Sequence, residues 1–122
     1  MRVLVVEPER RPEVREIDSS LKSMQSIVGG PIQAIYPFED SAAIVCCEMA
    51  EANEMPLNRV IYGEDGETVL SIIRGAFFVC DAPAWSEHFL SLSAEQLVRY
   101  SSLFAVPQVL IQLNNHILVI VH

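Results

Sequence analysis

The chain has 122 residues, a formal net charge of −8, and 51% hydrophobic and 20% charged residues. This length fits a single domain spanning residues 1–122, and the composition is typical of a globular rather than a disordered protein. The acidic balance argues against direct binding to nucleic acid or to an anionic membrane, because both need a basic surface.

The first third of the chain predicts two strands and a helix. Residues 2–7, RVLVVE, form an apolar run rich in β-branched residues that is typical of a central strand. Residues 13–17, EVREI, alternate and predict a strand returning antiparallel to the first. The helix that follows is expected to be capped by Asp18 or Ser19 and to end at the glycine pair before Pro31.

The middle of the chain predicts a hairpin followed by a shorter strand. Residues 32–38 and 42–48 are expected to pair across the short polar turn EDS. A loop or a single helical turn covers residues 49–56, and NRVIY at 58–62 predicts a short strand. The sequence GEDGE at 63–67 is typical of a tight turn, because Asp-Gly supplies a residue that tolerates positive φ.

The last third mixes one ambiguous segment with clear signals. The sequence TVLSII, residues 68–73, fits a helix or a strand equally well, whereas AFFVC at 76–80 predicts a strand with Gly75 at a bulge or close approach. A second helix is expected to start at Ser93, which forms a capping box with Gln96 three residues later.

The C-terminal tail, residues 106–122, is strongly apolar and predicts a hairpin around Asn114-Asn115. An isolated two-stranded hairpin is marginal in water, so the tail must complete its own sheet or meet a second copy of the chain. Of these we favour a two-fold homodimer that buries part of the tail. Taken together, the elements predict an α+β fold: an antiparallel or mixed sheet with about two helices packed on one face.

Seven short motifs, in this order and spacing, resemble a known bacterial family: VLVVEP, VREID, VGGPIQAIYPFED, MPLNR, GEDGE, IIRGAFFVC and SLSAEQLVRY. The family is domain of unknown function 3846, and the similar region spans residues 1–105, leaving the tail outside it. The resemblance implies a small protein or module found in bacteria, their phages and their mobile elements. It implies no established activity.

Compartment and cofactor expectations follow from what the chain lacks. No segment is typical of a signal peptide, and no apolar run approaches the ~20 residues of a membrane span, so we expect a cytoplasmic protein. Cys46, Cys47 and Cys80 lie in apolar runs and are expected to be buried, reduced thiols. No phosphate loop, dinucleotide fingerprint or zinc-hydrolase motif occurs, so no cofactor is expected.

Metal and nucleophile sites are weakly supported. His116 and His122 are six residues apart and could share a strand face, but His122 is the last residue of the sequence, so we expect no metal site. Cys80 with His88 is the one local nucleophile–base pair, with Asp81 or Glu87 to orient the imidazole. A buried Cys80 at a strand end and a surface His88 is the interpretation we prefer.

Asn58 and Arg59 are the candidate ligand-binding residues. Arg59 is the only base between Lys22 and Arg74, and it lies between the apolar residues Leu57 and Val60. In the structural interpretation it pairs with a neighbouring carboxylate: Glu54, Glu64 or Asp65. In the functional one its planar fork binds a small anionic ligand that Asn58 helps to orient.

An acidic surface is predicted around the two hairpin turns, formed by Glu39, Asp40, Glu64, Asp65 and Glu67. Three functions stay open. We favour a non-enzymatic interaction or accessory module of a phage or mobile element that binds an unidentified protein. The alternatives are an acidic inhibitor that imitates DNA, as anti-restriction proteins do, and an enzyme or binder for a small anion.

Overall fold

The computed structural model describes residues 1–121 and has an α+β fold, as predicted. Its helices are α1 (Leu21–Val28) and α2 (Ala94–Leu103). Its strands are β1 (Arg2–Val6), β2 (Glu13–Glu16), β3 (Ile32–Ile35), β4 (Ala42–Cys47), β5 (Leu57–Tyr62), β6 (Val69–Arg74), β7 (Phe77–Asp81), β8 (Val109–Leu113) and β9 (His116–Val121).

A five-stranded sheet in the order β2-β1-β7-β4-β3 forms the centre of the fold. Every neighbouring pair in it is antiparallel, which decides between the antiparallel and mixed alternatives. The predicted hairpins β1–β2 and β3–β4 are both present. Strand β7 comes from later in the chain and inserts between them, because its residues Phe77 to Cys80 are apolar enough to be buried on both faces.

The two helices lie on opposite faces of this sheet rather than together on one. Met24 and Val28 of α1 pack on the face that carries Val3 and Val5. Tyr100 of α2 packs on the other face, together with the hairpin β5–β6. The reason is that β1, β4 and β7 are buried along nearly their whole length, so both faces of the sheet need a cover.

The helix ends follow capping chemistry. Helix α1 is capped by Ser20, one residue after the predicted Asp18 or Ser19; the Ser20 side chain accepts from the Ser23 amide. Asp18 instead accepts from the Ser20 amide at 2.8 Å, which supports the same turn. The predicted capping box of α2 is confirmed.

Within the ambiguous segment TVLSII, Val69 to Ile73 belong to strand β6, which pairs with β5 as a separate two-stranded sheet. Gly75 follows it with φ of +74°, and a Cβ there would lie 2.8 Å from Met55 Sδ. The close approach predicted at Gly75 is therefore confirmed, and only glycine tolerates both the space and the backbone conformation.

The tail forms the predicted hairpin, β8–β9, with Asn114 at φ of +53° in its turn. It pairs with no strand of the main sheet. Gln108, just before β8, attaches it to the body: its Oε1 accepts from the Val60 amide at 2.7 Å. No helix within residues 1–121 is long and apolar enough to cross a membrane.

Candidate functional site

Asn58 and Arg59 are both completely buried in β5. The Asn58 side-chain amide, Nδ2, donates to the Val6 carbonyl at 2.9 Å and to the Gly75 carbonyl at 2.8 Å. Asn58 therefore joins the end of β1 to the short connection between β6 and β7. Burying an amide is costly unless its hydrogen bonds are made, and here both donors are used.

Within residues 1–121, the Arg59 guanidinium donates only to oxygens without a full charge. Nη1 donates to Asn58 Oδ1 at 2.8 Å and to the Asn58 carbonyl at 3.3 Å. Nη2 donates to the Arg10 carbonyl at 2.7 Å and to the Phe104 carbonyl at 3.2 Å. Phe104 is the C-cap of α2, and the partial negative charge at a helix C-terminus favours a cation there.

The expected pairing of Arg59 with Glu54, Glu64 or Asp65 is wrong. No ion pair within residues 1–121 includes Arg59. Burial lowers the pKa of Arg59, and its Nε has no hydrogen-bond partner within that range. The ion pair does not form because the Arg59 side chain points from β5 into the interior, whereas the three carboxylates lie on exposed turns.

This geometry gives Asn58 and Arg59 a structural role. Their side chains have no exposed surface, so neither borders a groove from which a ligand could be bound. Instead they connect three parts of the chain that meet over the sheet: the loop after β1, the hairpin β5–β6 and the end of α2. The small-anion hypothesis gains no support from this arrangement.

The turns that carry the predicted acidic surface lie side by side. Glu39 and Glu64 line one shallow hollow, and the hydrogen bond and charge of Glu39 raise the pKa of Glu64. Thr68 and the Glu67 amide hydrogen bond to Asp65 and lower its pKa to about 2. These carboxylates form a compact corner, whereas an imitation of DNA needs a long row of charges spaced like phosphates.

Asp40, the remaining member of the acidic set, ties α2 to the turn between β3 and β4. Its Oδ1 accepts from the Tyr100 hydroxyl at 2.6 Å and from the Ala42 amide at 2.9 Å. Its Oδ2 accepts from Arg99 Nη1 at 2.7 Å. The sequence alone gives no sign of the contact between Asp40 and Tyr100, because 60 residues separate the two partners.

The protonation of Asp40 should affect stability. Burial by itself raises the pKa of Asp40, but hydrogen bonds from Tyr100, the Ala42 amide and Gln96, with the charge of Arg99, outweigh burial and lower it. A carboxylate with a lowered pKa stabilises the folded state above its unfolded pKa, about 3.9. That stability is lost as the pH falls through the folded pKa.

We therefore expect Asp40→Asn to lower the free energy of unfolding by about 1 kcal/mol at pH 7. The difference from the parent protein should shrink as the pH falls below about 4, because the unfolded parent then binds a proton that the folded parent binds only at a lower pH. Urea unfolding at several pH values measures this. A difference that stays constant from neutral pH down to about pH 3 would mean that the charge of Asp40 has no role.

The three cysteines are free and buried, as predicted. Cys46 and Cys47 face opposite sides of the sheet. Burial, and then the charge of Asp81, raise the pKa of Cys80 to about 12. Cys80 is therefore a protonated thiol without access to a substrate, and His88 lies on an exposed loop.

Metal-binding side chains do not converge in the described part of the chain. No group of three or more His, Cys, Asp or Glu within residues 1–121 could hold an ion. His116 is exposed at the start of β9, and His122 lies outside the described residues.

The tail hairpin presents an apolar face to solvent. Register and alternation put five aliphatic side chains on its outward face, each 40–55% exposed: Val109, Ile111, Leu113, Leu118 and Ile120. Its inward face lies against the body, where Arg74 Nη2 donates to Gln112 Oε1. No Asp, Glu, Lys or Arg occurs from Val106 to Val121. An exposed apolar face of this kind is typical of an interaction surface.

A second apolar surface lies beside β6. This strand is an edge of its two-stranded sheet and borders a cavity of about 370 Å³. Ile35, Cys46 and Ile73 contribute apolar surface to the cavity, and Glu48 and Glu51 lie exposed at its border. The tail hairpin closes one side through Gln112 and Ile117.

Comparison with known proteins gives one finding. No curated protein and no solved structure matches the chain. A family model described as a domain of unknown function (DUF3846) matches residues 1–105, the region whose motifs carry the resemblance. The chain therefore belongs to the DUF3846 family.

Proposed function

We propose that the chain is a non-enzymatic protein-binding module that pairs with a second copy of itself through the outward face of the tail hairpin. The hairpin lies beyond residues 1–105, so the interaction element is an addition to the family region. Two further expectations are part of the proposal: an accessory role for a phage or mobile element, which the resemblance implies, and a cytoplasmic location, which the sequence itself suggests.

The observation that carries the proposal is the set of five outward aliphatic side chains, which together expose roughly 400 Å². Packing two such faces together buries roughly 800 Å² in total, below the ~1,200 Å² of a standard stable interface. We therefore expect a weak dimer that forms at high concentration and dissociates on dilution.

The charge distribution favours the tail as the surface through which a second copy would bind. Two chains that each carry a net charge of −8 repel one another over most of their surface. The acidic corner, with Glu39 and Glu64 side by side, is the least favourable region for self-contact. The tail from Val106 to Val121 carries no charged side chain, so two copies meet there without burying a carboxylate.

Light scattering on the intact chain tests the dimer. Leu118 is 45% exposed on the outward face. We expect the Leu118→Lys variant to remain monomeric at concentrations where the parent protein is dimeric, because pairing would bury two ammonium groups. Val14, an apolar residue 50% exposed on β2, supplies the matched control, and Val14→Lys should leave the dimer intact.

The proposal fails if the parent chain stays monomeric at about 1 mM, the dissociation constant of an interaction worth about 4 kcal/mol. It also fails if Leu118→Lys and Val14→Lys weaken the dimer equally, since the contact would then not be specific to the hairpin.

A further inference from the structure

We propose that the free edge of β6 binds an extended segment of another protein as a third strand. An aliphatic side chain of that segment enters the cavity beside Ile35 and Cys46, and a basic side chain faces Glu48 and Glu51. The inference rests on the proposed role in protein binding. It uses a different surface from the dimer, so each can fail alone.

Hydrogen bonding in the hairpin shows which backbone groups of β6 are free. The Val60 amide donates to Gln108 Oε1 at 2.7 Å and is therefore turned away from β6. Val60 is opposite Ile72 in the register, so this is a pair without mutual hydrogen bonds. The N–H and C=O of Ile72 consequently point outward from the edge, where an added strand would meet them.

The edge of β6 also lacks the usual protection against strand pairing. Val69, Leu70 and Ile72 are 51%, 49% and 39% exposed, and no charged residue or proline occurs from Val69 to Ile73. Edge strands are commonly guarded by charges, as β2 is in this chain by its sequence Glu-Val-Arg-Glu. An unguarded edge beside a cavity is the arrangement that binds peptides by strand addition.

The chemistry of the cavity defines the segment that fits. Cys46 and Ile73, 7% and 4% exposed, belong to the apolar core and favour an aliphatic side chain above them. Glu48 and Glu51 are exposed at the border of the cavity. The one base there, Arg74, already donates to the Met55 carbonyl and to Gln112. A Lys or Arg two residues from the aliphatic residue lies on the same face of an extended segment, and its charge complements Glu48 and Glu51.

Fluorescence polarisation tests the proposal with a labelled eight-residue valine–lysine peptide, in which valine and lysine alternate at every second position and threonine occupies the positions between them, so that valine and lysine share one face of the strand. We expect saturable binding that weakens as salt is raised. A valine–glutamate peptide should bind at least about tenfold more weakly because its charges oppose Glu48 and Glu51. A valine–lysine peptide with a central proline should also bind about tenfold more weakly, since proline removes a backbone donor and disturbs the pairing of extended strands.

Protein variants identify the surface. Ile72→Pro removes the outward donor without removing a bond to β5, and should weaken binding about tenfold. Ile72→Thr keeps the N–H and the branched side chain, and should bind like the parent. The exposed pair Glu48→Gln with Glu51→Gln should weaken binding and its dependence on salt, which gives a second measurement if Ile72→Pro is unstable.

Three results would overturn the proposal: no saturable binding of the valine–lysine peptide at millimolar concentration, equal binding of the proline-containing peptide, or equal binding by Ile72→Pro folded like the parent. If two chains pair through β6 instead, Ile72→Pro abolishes the dimer and the peptide does not bind. The monomeric Leu118→Lys variant should still bind the peptide, which separates this proposal from the dimer.

Discussion

Replacing Arg59 by alanine is expected to lower the free energy of unfolding by about 3 kcal/mol or more. The side chain is completely buried and is among the largest buried side chains. Its removal leaves a cavity and deprives the Arg10 and Phe104 carbonyls of their shared donor. Relief of the burial cost of the charge, visible in the lowered pKa of Arg59, offsets part of this loss.

Urea unfolding of Arg59→Ala, Arg59→Lys and the control Arg11→Ala measures the effect. Lysine keeps the charge but cannot reach carbonyls on two segments with a planar fork, so Arg59→Lys should recover only part of the stability. Arg11 is exposed, and Arg11→Ala should change stability by less than about 0.5 kcal/mol. If Arg59→Ala unfolds at the same urea concentration as the parent, Arg59 does not hold these segments together.

Asn58→Ala is expected to lower the free energy of unfolding by about 3 kcal/mol. The substitution removes both donors of Nδ2, which leaves the buried Val6 and Gly75 carbonyls without these bonds. It also removes Oδ1, the acceptor that lies 2.8 Å from Arg59 Nη1. Each of these groups is buried, so water does not replace the lost partner.

Two further variants separate the roles of the Asn58 side chain. Asn58→Asp keeps the acceptor for Arg59 but turns a carboxylate towards two carbonyl oxygens, so it should stay well below the parent in stability. In a double-mutant cycle, Asn58→Ala and Arg59→Ala should cost less together than the sum of the single changes, because they share a hydrogen bond. Strict additivity would show that the two side chains act independently.

The Asn58–Arg59 pair shows where reading the sequence failed. A base surrounded by eight acidic side chains between residues 31 and 70 predicted an ion pair or an exposed anion site. The sequence carries no sign that its partners are carbonyls 49 and 45 residues away. The nearest useful signal is the position of the Asn58–Arg59 pair between two apolar residues, Leu57 and Val60, of which Leu57 is half-buried and Val60 is buried.

The placement of the helices could have been predicted from the strands. The runs VLVV, AAIVCC and FFVC are apolar at consecutive positions, and strands of this kind are buried on both faces. Such a sheet needs a cover on each side, and two helices on one face would cover that face alone. Alternation within β2, by contrast, correctly predicted a strand that returns antiparallel to β1.

What the sequence by itself determined is local. Several features follow from residue types within a few positions of one another, because backbone preference and capping act over that range. They are the strands β1, β2 and β7, the capping box at Ser93, the turns at Gly66 and Asn114, and the tail hairpin. The tertiary structure alone decided the state of TVLSII, which became a strand by packing Ile73 into the core. It also decided the partners of Arg59 and the contact of Asp40 with Tyr100, because such contacts form only when distant segments are packed on a common sheet.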